Sequence, residues 1–279
     1  MPYTAEISRT NPSCFLFLID QSGSMADPFG AGESSRRKAD GVADAINRLL
    51  QNLVIRCAKD DGVRDYFHVG VIGYGAHVGS AFSGPLAGRE LVPISEVANM
   101  PARIEERAKK VDDGAGGLVD QIIRFPIWFD PVANGGTPMC QALGLAHRIL
   151  QDWLSQHPTC FPPIVINITD GEATDGDPSM PAEAIRKLSS NDGEVLLFNV
   201  HLSSQRTAPI EFPDAEIGLP DQFAQLLFRM SSPLPAYMRS IAQQEGYKVS
   251  EGNRGFVFNA DIVAVIRFLD IGTRPSDLR

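Results

Sequence analysis

Two apolar runs, each ending on an aspartate, constrain this chain most. Residues 14–19 read CFLFLI and stop at Asp20; residues 161–169 read FPPIVINIT and stop at Asp170. A short apolar run without polar alternation fits a strand buried on both faces, which is the environment of a parallel sheet covered by helices. The intervening segments supply such helices. Lys38, Val42, Ala45, Ile46, Leu49, Leu50, Leu53 and Val54 recur at helical spacing. Residues 66–74 read as a strand, with 76–82 as a short antiparallel partner turned by Gly73 and Gly75.

Further helices are predicted at 95–110, 137–156, 181–190, 221–230, 235–245 and 262–271, and further strands at 195–202 and 255–259. Strands alternating with helices predict an α/β fold with a doubly wound, mostly parallel central sheet flanked by helices and one short antiparallel strand. We expect a single domain over residues 1–279, with its core at about 13–270. Residues 26–34, 111–134 and 203–219 are rich in Gly, Pro or charge and are expected as exposed insertions. The aromatic stretch 125–129 (FPIWF) fits a partner-binding ridge and a core segment equally well.

Composition narrows the function. The 34 acidic residues outnumber 25 basic ones, giving a formal charge of -9 without a Lys/Arg run. That balance offers no footprint for nucleic acid or an anionic membrane. Cys14, Cys57, Cys140 and Cys160 lack disulfide or zinc-knuckle spacing and read as small buried apolar residues. No run reaches the roughly 18 apolar residues of a membrane span, and no signal peptide is evident, so a cytoplasmic location is expected.

In open α/β sheets, ligands bind beyond the carboxyl ends of the strands. Three oxygen-rich segments stand there: Asp20-Gln21-Ser22-Gly23-Ser24, Gly135-Gly136-Thr137-Pro138, and Thr169-Asp170-Gly171-Glu172. Hydroxyls with one or two carboxylates suit Mg2+, a hard cation that prefers oxygen and keeps several waters. In an extended turn, spacing i, i+2, i+4 would throw Asp20, Ser22 and Ser24 to one side, with Gly23 letting the backbone wrap tightly.

In these three loops, their order and the apolar strand before each aspartate, the chain resembles the von Willebrand factor type A (vWA) family. Its metal-ion-dependent adhesion site (MIDAS) combines Asp-x-Ser-x-Ser with a Thr and an Asp from two further loops. The resemblance spans residues 13–270. It implies a Rossmann-like vWA fold and metal ligation by Asp20, Ser22, Ser24, Thr137 and Asp170. It implies Mg2+, with Mn2+ or Ca2+ as alternatives, and a partner protein whose Asp or Glu completes the metal's shell. The chain looks closer to intracellular bacterial members, similar to tellurium-resistance vWA proteins, than to secreted adhesive ones. Those act as scaffolds beside kinases, phosphatases or AAA+ ATPases in stress or signalling complexes.

Other chemistries are less well supported. The 170–177 loop lacks the EF-hand pattern, so Glu172, Asp175 and Asp177 read as a solvated acidic rim. Gly70, Gly73 and Gly75 are not in dinucleotide-loop order, and no P-loop occurs. No histidine stands in the three loops to serve as a base, so a binding module is preferred. The alternative is a metal-dependent hydrolase or phosphoryl-transfer enzyme at the same site. Asn167-Ile168-Thr169 fits a glycosylation sequon but falls in a buried strand.

Overall fold

The computed structural model describes residues 2–28, 36–112, 118–203, 208–259 and 267. Strand β1 (Ser13–Asp20) is buried along its whole length. It lies between β2 (Phe67–Tyr74) and β6 (Ile164–Thr169), parallel to both. Alternate side chains of β1 point to opposite faces, so its interior, residues 14–19, must be apolar at every position. Phe15, Phe17 and Ile19 pack in one layer with α1 (Lys38–Cys57), α2 (Ile94–Asn99) and α6 (Ala236–Gln244). Cys14, Leu16 and Leu18 pack in the other with α3 (Met139–Gln156), α4 (Ser179–Lys187) and α5 (Gln222–Met230). Full burial of a large apolar side chain stabilises by about 1.5–3 kcal/mol, which is why two-sided burial overrides any alternating pattern.

The remaining strands of the sheet are β3 (Val78–Ser80), β7 (Leu196–His201), β8 (Ile210–Glu211) and β9 (Phe256–Phe258). Their order is β8-β9-β7-β6-β1-β2-β3, with residues Val92–Pro93 also paired to β2. The strands from β9 to β2 run parallel. Antiparallel pairing is more extensive than the one short strand expected: β3 and Val92–Pro93 both run against β2, and β8 runs against β9. These short edge strands cap a parallel centre whose faces the helices cover.

The long charged helix expected at 95–110 is not formed. Helix α2 ends at Asn99, and β4 (Arg103–Asp112) pairs antiparallel with β5 (Leu118–Ile127) as a separate two-stranded ribbon. The ribbon forms much of the expected insertion at 111–134, and residues 119–122 are exposed as expected. At its base Phe125, Ile127, Trp128 and Phe129 are buried, so the aromatic stretch is core. Asn47 of α1 fixes it: its Oδ1 accepts from Trp128 N and Phe129 N, and its Nδ2 donates to Phe129 O. Within 203–219 the described residues are mostly exposed or half-buried, as expected, with Phe212 and Leu219 buried. The helix expected at 262–271 lies, save for residue 267, outside the described residues.

A buried polar chain crosses the sheet. Tyr74 Oη donates to Asn167 Oδ1 at 2.6 Å, Asn167 Nδ2 donates to Asn199 Oδ1 at 2.9 Å, and Asn199 Nδ2 donates to Ser231 Oγ at 2.9 Å. All four residues are fully buried. The Asn167 amide of the sequon is therefore committed to the interior. No described helix is long and apolar enough to cross a membrane.

Candidate metal centre

Strands β1 and β6 are in register through Ile19 and Ile168, so Asp20 and Thr169 end side by side at the carboxyl edge. Thr169 Oγ1 donates to Asp20 Oδ2 at 2.7 Å, and Ser22 N donates to Asp20 Oδ1 at 2.8 Å. Beyond Ser22 the chain enters a 3-10 turn, Gly23–Ala26, in place of the extended turn expected. The Oγ atoms of Ser22 and Ser24 lie 3.0 Å apart, and Ser24 Oγ donates to Asp170 Oδ1 at 2.9 Å. Asp20, Ser22, Ser24 and Asp170 thus form one bonded array drawn from two strand ends.

The second loop reaches this array through backbone. Gly23 N donates to Gly135 O at 3.0 Å, and Asn134 N donates to Gln21 O at 2.6 Å. Tight packing here is the work of Gly75 and Gly135, and Gly23 has a smaller part than its position suggests. A Cβ on Gly75 would lie 2.7 Å from the carbonyls of Asn134 and Gln21. Gly135 adopts φ +87°, a conformation costly for other residues. A Cβ on Gly23 would meet Gly135 O at an ordinary 3.7 Å.

Thr137 is buried and its backbone is clamped by Thr174. Thr137 N donates to Thr174 Oγ1, and Thr174 N donates to Thr137 O, each at 2.9 Å. The Thr137 hydroxyl takes part in none of the hydrogen bonds found among the described residues. Thr137 is therefore at the same edge as the other four without being bonded to them.

Burial raises the pKa of Asp20 above the ordinary carboxylate range, against the hydrogen bonds from Ser22 and Thr169, and the charge of Asp170 adds to the rise. Burial first, and Asp20 second, push the Tyr74 phenol well up. Both neutral donors to Asp20 leave its charge uncompensated, whereas Asp170 has a cation: Lys38 Nζ stands 3.1 Å from Asp170 Oδ2.

Three residues at this edge were not expected at the site. Lys38 and Thr174 are two, and Asp175, expected in the acidic rim, has another role. Asp175 accepts from Cys140 N at 3.0 Å and Gln141 N at 2.9 Å, capping α3 from a distant loop. Asp177 accepts from Ser179 N at 2.9 Å at the start of α4. Asp175 and Asp177 are thus capping residues; Glu172 and Asp177 are exposed, as expected of an acidic rim, and Asp175 is half-buried. The third is His201, at the end of β7, whose Nε2 lies 3.1 Å from Asp170 O. A histidine does stand beside the loops, brought by a strand distant in sequence. It is buried, its pKa is lowered by that burial, and its Nδ1 has no partner among the described residues. Lys38 alone had a legible signal, a cation on an otherwise apolar helical stripe.

Among the described residues no group of three or more His, Cys, Asp or Glu side chains could hold a metal. The candidate centre consequently depends on hydroxyls with two carboxylates. Fold and site together define an α/β chain with an oxygen-lined carboxyl edge at the junction of β1 and β6.

No protein-family model matches the chain, and no curated protein matches it. Among solved structures it is similar to the vWF domain of the type V pili tip protein Mfa5 from Porphyromonas gingivalis (14% identity, TM-score 0.33, covering 58% of this chain and 39% of that one). A structure of three N-terminal domains of Mfa5 gives 13% identity and TM-score 0.32, covering 58% of this chain and 20% of that one. The ArnB paralog VWA2 from Sulfolobus acidocaldarius gives 12% identity and TM-score 0.37, covering 68% of this chain and 35% of that one. The chain is thus similar to solved vWA domains, and it spans less than half the length of the chains it matches.

Proposed function

We propose that the chain is a protein-binding module, and not an enzyme, in which Asp20, Ser22, Ser24, Thr137 and Asp170 hold a divalent cation. The observation that carries this reading is the bonded array of two carboxylates and two serine hydroxyls at the carboxyl edge. The donor set fits a hard ion, Mg2+ first, with Mn2+ or Ca2+ able to substitute. Asp20 supports the fit: it is fully buried, its pKa is raised by desolvation, and no cation is bonded to it among the described residues. Such a carboxylate is stabilised by a nearby positive charge.

When bound, the cation supplies a Lewis-acidic position for an external carboxylate. The partner class that fits is a protein offering Asp or Glu, and we place the module as a scaffold beside a kinase, phosphatase or AAA+ ATPase in a bacterial stress or signalling complex. Thr169 fixes Asp20, Thr174 fixes the Thr137 loop, and His201 holds the backbone of Asp170. Pull-down with wild type and Asp20→Ala, each with Mg2+ and with chelator, tests the reading. Capture of a partner should need both Mg2+ and Asp20; capture indifferent to both would overturn it.

His201 gives the enzyme reading its one specific observation. A metal-dependent hydrolase or phosphoryl-transfer enzyme needs a base near the metal, and His201 is the ring at this edge. Its Nε2 engages Asp170 O and its Nδ1 is enclosed, so as placed it positions Asp170 and does not face a substrate. Mn2+-dependent turnover of a phosphate ester, lost in Asp20→Ala, would favour the enzyme.

A further inference from the structure

Lys38 is the first residue of α1 and only 4% exposed. Burial of an ammonium is costly unless a counter-charge accompanies it. The first turn of a helix adds to that cost, since its free N–H groups favour anions. Lys38 therefore stands where two effects oppose it, and what offsets them is Asp170, with Nζ 3.1 Å from Oδ2 and both side chains at most 7% exposed. The exposed Asp27 is farther off, at 3.9 Å, but ties the same end: Lys38 N donates to Asp27 O at 2.9 Å. The two oxygens of Asp170 are thus divided, Oδ1 to Ser24 Oγ and Oδ2 to Lys38.

A divalent ion held by these loops draws on the same carboxylate. Two unit charges a few ångströms apart in a partly buried site interact by more than the factor of ten in affinity that one pKa-sized increment represents. We propose that Lys38 is a built-in cation that competes with the divalent ion for Asp170 and sets the metal affinity of the site. This rests on the metal-binding reading above. Lys38 has a second consequence in the loaded site. Two carboxylates balance the charge of the ion, and Lys38 is left with the exposed Asp27, 3.9 Å away, as its counter-charge. It also lines, with Asp170, His201 and Asp221, a cleft of ≈ 490 Å³ beside the site.

Direct Mn2+ binding to the full chain, read by the loss of the free-ion electron paramagnetic resonance signal, tests this on wild type, Lys38→Met, Lys38→Arg and Asp20→Ala. Methionine keeps the apolar stem and removes the charge; arginine keeps the charge. Lys38→Met should bind Mn2+ roughly tenfold tighter or more, Lys38→Arg should stay near wild type, and Asp20→Ala should not bind. A structural role alone would weaken binding in Lys38→Met. If Lys38→Met binds Mn2+ no tighter than wild type while Asp20→Ala loses it, the competition is overturned and the metal reading stands. If neither wild type nor Lys38→Met shows saturable Mn2+ binding, both fall. Lys38→Gln provides the same comparison should the methionine variant not fold.

Discussion

At the carboxyl edge of the sheet, Asp20 and Asp170 tie two loops together through serine and threonine hydroxyls; at the amino edge, rings do the closing. There His68 of β2 packs on Trp153 of α3 with centroids 4.6 Å apart, and Trp153 stacks on His157 at 3.6 Å and 14°. Each edge has a cleft of similar size, ≈ 510 Å³ beside the rings and ≈ 490 Å³ beside Asp170. Their charges differ in disposition. In the amino-edge cleft Arg89 and Arg148 are paired with Glu96 and Glu90, on the surface. At the carboxyl edge the side chains of Lys38 and Asp170 are buried and paired. Volume alone does not separate the two places; the disposition of charge does.

The largest expected effect would come from the amino edge. Trp153→Ala removes a nearly buried ring and should cost about 3–5 kcal/mol in denaturant unfolding, while stabilisation by Mg2+ persists. Loss of that stabilisation as well would show that the two edges do not act separately. Asp20→Ala should do the reverse, abolishing a metal stabilisation that in wild type is about 2.7 kcal/mol at one hundred times the dissociation constant. A thermal melt of wild type that is indifferent to millimolar Mg2+, Mn2+ and Ca2+ would remove the distinction.

Asp175→Ala should cost about 1 kcal/mol, the usual effect of deleting a helix cap, and should also weaken Mg2+ stabilisation, because Asp175 follows the Thr174 that clamps Thr137. A metal response unchanged in this variant would detach the third loop's tail from the site. The smallest effect is a matter of pH. Burial, first, and the neighbouring His157 lower the pKa of His68. The native ring therefore stays neutral where the unfolded chain takes up a proton. Its contribution to stability is full above the ordinary histidine value and is lost as pH falls from there toward the folded one. His68→Phe should flatten the stability profile on the acid side of about pH 6.5; a profile as steep as wild type would assign that loss to other groups.

The elements legible in the sequence are those with a strong burial pattern. β1 and β6 are apolar at almost every position because both faces are covered, and α1 and α3 carry broad apolar stripes. The ribbon of β4 and β5 was hidden because its strands pair only with each other. Residues 103–110 (RIEERAKK) are then free to carry charge at a density that reads as helix. At the site, the five oxygen-bearing positions stand in short motifs. Thr174, Asp175 and His201 do not, since what brings them to Thr137, α3 and Asp170 is strand order and loop packing, which local spacing does not encode.

The polar chain from Tyr74 through Asn167 and Asn199 to Ser231 bears on how the sheet assembles. A one-residue slip in any of these strands would turn its amide or phenol to the opposite apolar layer, away from its partner. The unpaired group would then cost about 1–3 kcal/mol, a penalty that apolar neighbours of similar size would not impose. The chain thus works as a proofreader of strand register, and because Tyr74 and Asn167 sit on the strands flanking β1, the register it checks is the one that sets Asp20 beside Thr169.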